Sequence, residues 1–508
     1  MATESEPLTV SARRVARRRA CQNGALWGAG NGLVSTTLIV YLAQELGAAK
    51  VGLGISLILA APRIAGLLRM AAPALIQWSG DRKRFCLGAY AASAVVLAGL
   101  PWAALPGWIP RSSGPLTVII VLWCLYHLLE FLATVALYCW LADLVPLRIR
   151  GRFLGRRERW MLAGQIPAML FAGLFSYFFK SSLAFAYFPA ILSPAIQSWL
   201  ASSAEALGYL IPAVLGVCFL LLAVVPLAAM PPGTLTVGNA LCGVPGRARK
   251  PVAGFRNATQ RVPYRLASEP VRAQTNHAFG TAGRSRSGRL RQLAAPFLDR
   301  PFLALIVFGC WFSFSNGVTQ TAQGIYPKRV LGMSLFATMA LSTGMRLGQL
   351  AVSPWLGRIA DRWGNKRLMA ASLPLVALGP LFFCAAVPRQ PWWIVGAWAV
   401  WIAYAGINVG QPNLMLKLAP RQSSAAYVAA FHAITGLMVA ASTIAGGCLI
   451  DHFAGRHFRP FAGCWSLDVF QVSFLLGAAA RLLGMLLLWP IGERPAMAET
   501  VGKGYAKA

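Results

Sequence analysis

Gly357-Arg358-Ile359-Ala360-Asp361-Arg362-Trp363-Gly364-Asn365-Lys366-Arg367 decides the fold of this chain. One long apolar run ends in this stretch and another begins after it, so it is a short charged turn between two hydrophobic helices. The spacing G-x-x-x-D-R-x-G-x-K-R sets an acid, three bases and two glycines between helices that otherwise avoid charge.

Working outward, the same apolar character fills most of the chain. Of 508 residues, 57% are hydrophobic and 12% charged, against about 25% charged in a soluble domain. Crossing roughly 30 Å of hydrocarbon takes about 20 apolar residues. Twelve segments qualify: 22–45, 51–78, 85–106, 115–141, 157–180, 208–230, 301–325, 333–357, 368–388, 391–416, 425–450 and 469–490. Runs of this length must satisfy their own backbone, which makes them helices rather than barrel strands.

The loop pattern resembles that of the major facilitator superfamily, a large group of secondary transporters. The resemblance implies an all-α membrane protein, with twelve transmembrane helices in two pseudo-symmetric six-helix bundles. It also implies movement of a small solute by alternating access. In that family the motif's acid holds the two halves together on the cytoplasmic side while the cavity faces outward. Asp361 would take this part, accepting from Arg362 or from the amino-terminal end of span 11. Gly357 and Gly364 would let helix and turn approach closely. Lys366 and Arg367 complete the motif. The first half departs from the pattern: Gln77 stands where the acid is expected, Pro73 where the first glycine is, and Asp81 follows Gly80. The plainer reading of the motif is a solvated basic anchor.

The net charge of +32 is distributed by topology. Arg13, Arg14, Arg17, Arg18 and Arg19 precede span 1. Arg82, Lys83 and Arg84 follow span 2, and six arginines from Arg148 to Arg159 follow span 4. The alternate loops are sparse in Lys and Arg. This bias places both termini in the cytoplasm and the chain in the cytoplasmic (inner) membrane. It argues for attraction to anionic lipid rather than nucleic acid. The ten cysteines lie mostly in or beside spans, with no C-x-x-C, so neither a disulfide framework nor a zinc site is expected. The first span is full length and reads as retained.

The chain repeats itself. Asn31-Gly32 recurs as Asn316-Gly317, and at the same offset Thr36 matches Thr321 and Tyr41 matches Tyr326. Two halves in parallel order are a common transporter plan. The expected organisation is a basic tail at 1–20, one bundle at 21–230 with an external insert at 181–207, a basic linker at 231–300, a second bundle at 301–491 and a tail at 492–508. The insert is expected at headgroup depth, anchored by Phe185, Tyr187 and Trp199. The linker is expected to be unstructured apart from a short amphipathic piece near Leu290–Leu298.

Charges within spans are functional candidates by default, since each costs at least ~2.5–3.5 kcal/mol to insert. Arg63 and Arg69 lie in span 2, Glu130 in span 4, Arg346 in span 8 and Arg481 in span 12. Arg63 precedes Gly80 by 17 residues and Arg346 precedes Gly364 by 18, so both sit near mid-membrane as near symmetry mates. Nitrate and nitrite carriers of the resembled family likewise have an arginine on each of these spans. A planar guanidinium suits a carboxylate or phosphate; the rival role is bracing between helices. Arg69 points about 120° from Arg63, and Arg481, on a span peripheral in the resembled fold, reads as structural.

Glu130 and His127, one turn apart, can carry a proton; the alternative is a Glu130–Arg63 ion pair. Spans 1, 4, 7 and 10 line the cavity in the resembled fold. They offer Asn31, Asn316, Gln320, Gln323, Asn408 and Gln411. Asn316, Gln320 and Gln323 share a face at i, i+4 and i+7. Amides either bind solute or bond helix to helix. Tyr326, with Trp27, Trp311 and Tyr404, can stack on a sugar ring.

The expected function is secondary transport driven by protons, another ion or exchange, with an organic or inorganic anion favoured. A sugar or polyol carrier, amphiphile efflux, and a non-transporting receptor are the alternatives. An enzyme is not expected, nor a metal, a cofactor or a nucleic-acid partner. The partners are a small solute and the bilayer, and the expected state is a monomer.

Overall fold

The computed structural model describes residues 10–45, 51–67, 72–103, 114–145, 147–180, 194–231, 295–420, 424–458 and 466–492. Among these the chain is almost entirely helical. Ten helices are long and apolar enough to cross a membrane. The remaining positions of a two-times-six arrangement are filled by the helices Val51–Leu67 and Ala72–Ser79, and by Leu335–Trp363, which is long but more polar.

The first half comprises α1 (Val10–Leu33), α2 (Thr36–Glu45), α3 (Val51–Leu67), α4 (Ala72–Ser79), α5 (Arg82–Ala103), α6 (Gly114–Leu144), α7 (Leu147–Lys180), α8 (Pro194–Leu222) and α9 (Val224–Ala228). The second comprises α10 (Arg300–Arg329), α11 (Leu335–Trp363), α12 (Asn365–Ala385), α13 (Trp393–Val400), α14 (Tyr404–Leu418), α15 (Ser424–His452) and α16 (Val469–Leu488). Helix ends follow from local chemistry. The Ser334 side chain accepts from Ala337 N to start α11, and Asp468 with Gln471 forms a reciprocal cap on α16. Gly364 ends α11 at φ 91°, a conformation open to glycine, and α12 starts directly after it.

Three expectations change. The arginines at 13–19 are not a tail ahead of a helix; they lie inside α1. Arg148 to Arg159 form the opening turns of α7 rather than a loop. Part of the 181–207 insert is the start of α8, with Pro194 at its first position, where a missing N–H costs nothing. Ser202 and Ser203 lie within that helix. Phe185 and Tyr187 lie outside the described residues, as do Arg69, Cys464 and most of the 231–300 linker.

Each half is knit by close helix pairs. α1 lies on α7 where Gly28 meets the backbone of Met161 and Gly164 meets that of Ala25. α10 lies on α15 in the same way. The halves join through two crossed pairs, α3 along α15 and α7 along α11.

Candidate functional site

The repeated Asn-Gly dipeptide has one structural meaning in both halves. Tyr126 of α6 donates to Asn31 Oδ1 at 2.9 Å, and Tyr404 of α14 donates to Asn316 Oδ1 at 2.6 Å. The glycine beside each asparagine faces another neighbour. A Cβ on Gly32 would strike Gln165 O of α7, and one on Gly317 would strike Ser442 of α15. Asparagine thus ties the first helix of each half to the fourth, and glycine admits the fifth.

The second half adds a cation. Arg481, 1% exposed, donates to Asn316 Oδ1 through Nε (3.2 Å) and Nη2 (2.9 Å), and to Thr319 Oγ1 at 3.0 Å. No carboxylate is within ion-pair distance of it among the described residues. Sequence placed Arg481 at the periphery; the structure sets it against α10, with an amide and a hydroxyl as partners. The signal that was available is the cost of burying a charge. The first half has its own version, in which Arg157 Nη2 donates to Asn23 Oδ1 at 3.2 Å.

The other amides of α10 serve packing within the half. Gln323 donates to Thr319 Oγ1, and Gln320 Oε1 accepts from Thr443. Tyr326 is 1% exposed, bonded to Ala386 O and ringed by Phe383, Phe470 and Phe474. It has no face left for a solute in this state. Asn408 is exposed and Gln411 half-buried on α14, and neither has a hydrogen bond among the described residues.

Arg63 and Arg346 are both exposed, and helix geometry shows toward what. Ser56 of α3 is fully buried against Gly447 of α15, and Leu59 packs toward Gly324 of α10. Arg63 follows these at i+7 and i+4, so it continues the same face. On α11, Met339 packs near Gly173 of α7 and Ser342 is buried. Arg346 again follows at i+7 and i+4. Each arginine therefore continues the stripe of its helix's interface residues into an exposed position.

Glu130 does not pair with Arg63. Its carboxylate lies 3.6 Å from His127 Nδ1 and accepts from Thr134 Oγ1 at 3.5 Å, and Thr134 also contacts the Tyr90 hydroxyl at 3.1 Å. His127 is packed among Trp123, Tyr126 and Phe131. The Tyr126–Asn31 bond is adjacent, so this pair touches the helix 1 repeat.

The polar contacts between the halves gather at one end, opposite Asp361. Lys328 Nζ, at the end of α10, lies 2.8 Å from Glu45 Oε1 and donates to Tyr41 O at 2.8 Å. Glu45 also accepts from the Tyr209 hydroxyl. The Tyr41 hydroxyl meets Thr338 Oγ1 at 2.5 Å, and Gln44 donates to Gly324 O. Asp451, at the end of α15, accepts from the backbone N–H groups of Gly52 and Leu53 at 2.8 and 2.7 Å, capping α3 from the other half. Apart from Tyr41, which the repeat marks, the side chains of this group did not stand out in the sequence, because each is an ordinary polar residue near a helix end.

At the other end, Asp361 is exposed, with no hydrogen bond or ion pair among the described residues. Arg362 and Arg367 are also exposed, while Lys366 donates to Trp489 O at 2.7 Å and lies over its ring. A Cβ on Gly357 would meet nothing within 4 Å, so the close approach expected there is not made. No group of three or more His, Cys, Asp or Glu suited to a metal occurs among the described residues.

Two halves of six helices, paired through their second, fifth, eighth and eleventh members, have a recognisable counterpart. Residues 303–504 match the sequence profile of the Major Facilitator Superfamily. That likeness to the superfamily is carried by the second half of the chain. Solved structures of the same fold cover nearly all of the chain. The nucleoside transporter NupG aligns with a TM-score of 0.59 at 12% identity, over 94% of this chain and 98% of that one. The inward-open xylose transporter XylE from E. coli aligns at 0.57 and 14%, over 95% and 97%. A bacterial homologue of the human lysosomal transporter Spinster, inward-facing and unoccupied, aligns at 0.55 and 12%, over 95% of each chain. No curated protein matches by sequence. The superfamily match lies in the second half, which also carries the complete loop motif at 357–367.

Proposed function

We propose that this chain is a member of that superfamily and a secondary transporter that moves a small solute by alternating access. The observation that carries the reading is the asymmetry of its two ends. Glu45, Lys328, Tyr41, Thr338 and Asp451 fasten one end across the halves, while Asp361 at the other end has no partner among the described residues. Arg63 and Arg346 stand between, exposed on the faces that continue the interface stripes of α3 and α11.

The basic turns at the Asp361 end put that end in the cytoplasm, with both termini, so the described state opens inward. In this reading Asp361 engages only when that end closes. The solute is an anion, because two guanidiniums extend the interface and a weakly hydrated planar cation selects carboxylate or phosphate. Glu130 and His127 supply the proton-binding pair that couples the gradient.

A neutral hydroxylated solute is the second reading, favoured by Asn408 and Gln411. The similar folds include a nucleoside and a xylose transporter, which carry that chemistry in their own names. The test is uptake into proteoliposomes of a panel of labelled organic anions, phosphate, sugars and nucleosides, with and without a proton gradient. Anion uptake lost in Arg63→Gln and Arg346→Gln supports the first reading. Sugar or nucleoside uptake that survives both substitutions supports the second. Binding without flux in every case overturns transport.

A further inference from the structure

The molecule has a second basic feature, remote from Arg63 and Arg346. α1, the start of α7 and the end of the α8–α9 segment enclose a groove of about 1140 Å3. One end is lined by Arg14, Arg17, Arg18 and Arg19 of α1 and Arg156 of α7. The rest is apolar, with Leu26, Trp160, Leu222 and Val225 on its walls. Among the described residues, no Asp or Glu lines it. Arg14, Arg17 and Arg18 have no hydrogen bond or ion pair among the described residues, and Arg19 has only Gln22 at 3.4 Å. Trp160, Leu222 and Val225 are about half exposed, so the apolar part opens sideways, where the bilayer lies.

We infer that this groove holds an anionic phospholipid, its phosphate among the arginines and its acyl chains along Trp160, Leu222 and Val225. Charge complementarity selects the headgroup: a cluster of cations with no acid of its own calls for an anion. The apolar wall selects a lipid over a free anion, because only a molecule with both parts fills both ends. The spacing supports a built site. Arg14, Arg17, Arg18, Cys21, Gln22 and Ala25 recur at three- and four-residue steps, so α1 presents one continuous stripe that is basic, then apolar. The inference rests on the membrane placement of the helices and not on the transport reading.

The test uses the full-length protein, purified in a neutral detergent. Binding of phosphatidylglycerol is compared with phosphatidylcholine of identical chains, by native mass spectrometry and by retention of labelled lipid. The expected result is retained phosphatidylglycerol with little phosphatidylcholine. The combined variant Arg14→Gln, Arg17→Gln, Arg18→Gln should weaken phosphatidylglycerol binding about tenfold or more. The charge-matched variant Arg84→Gln, Arg358→Gln, Arg389→Gln, whose arginines do not line the groove, should leave it unchanged. Leu222→Trp, which fills the apolar part, should also reduce it, and decides the matter if the triple arginine variant does not fold. Inorganic phosphate and glycerol phosphate should fail to displace the lipid. Equal binding of the two lipids, equal losses in the two triple variants, or displacement by phosphate alone would overturn the inference. So would a parent protein that binds no lipid because its own 232–294 segment covers the groove.

Discussion

The hydroxyl of Tyr404 donates to Asn316 Oδ1 at 2.6 Å, and that oxygen also accepts two bonds from Arg481. Its counterpart in the first half, Asn31, accepts from Tyr126 and has no arginine on it among the described residues. Asn316→Ala should therefore cost more than Asn31→Ala. Losing the Tyr126 partner leaves one buried hydroxyl unsatisfied, about 1–3 kcal/mol. Losing Asn316 also strips a buried guanidinium, about 3–5 kcal/mol. Thermal unfolding in detergent checks the order, and equal shifts would show that Arg481 does not depend on Asn316.

Glycine substitutions separate close packing from mere occurrence in a motif. Gly32→Ala puts a methyl into the backbone of α7, and Gly317→Ala puts one into Ser442 of α15. Each should lower stability by about 1–3 kcal/mol. Gly357→Ala meets open space inside a helix and should be neutral or stabilising by up to about 1 kcal/mol. Melting midpoints of the three single variants provide the check.

Lys328→Gln removes the cation that bridges Glu45 and the Tyr41 carbonyl. A charge-assisted bond of about 1.5–3 kcal/mol is lost from this state alone, so the halves should part at that end about tenfold or more as often. Ser56→Cys, buried here against Gly447, reports the change. Its alkylation should accelerate in the Lys328→Gln background, in protein from which exposed Cys218 and Cys448 have been removed.

Asp361→Asn should behave oppositely. The carboxylate has no partner among the described residues, so melting should move by no more than about 0.5 kcal/mol. If Asp361 fastens the halves only when its own end closes, the substitution favours the described state and slows alkylation of Ser56→Cys.

Much of this architecture is legible in the chain itself. Apolar runs near 20 residues and the 357–367 turn give the helical membrane fold, because a bilayer leaves the backbone few options. The Asn-Gly repeat exposes the two halves. Helix ends are less legible: α1 absorbs Arg13 to Arg19, because long basic side chains let a helix run on past the apolar core. The candidate site is legible only where charge is costly. Arg63, Arg346 and Glu130 announce themselves as charges within apolar spans, yet Glu130 lies beside His127 rather than Arg63. Tyr326 is a poor solute ligand despite its place in the repeat, since its hydroxyl has found Ala386 O. Glu45, Lys328 and Asp451 are invisible in sequence, because their importance comes from facing the other half.

Distances between the halves test the two-ended mechanism without knowing the solute. Spin-label pairs across the Glu45–Lys328 end and across the Asp361 end, measured by pulsed resonance in the parent and in Lys328→Gln, should change in opposite directions. The variant should lengthen the first distance and shorten the second. Two distances that stay fixed, or that lengthen together, would contradict a rocking pair of bundles.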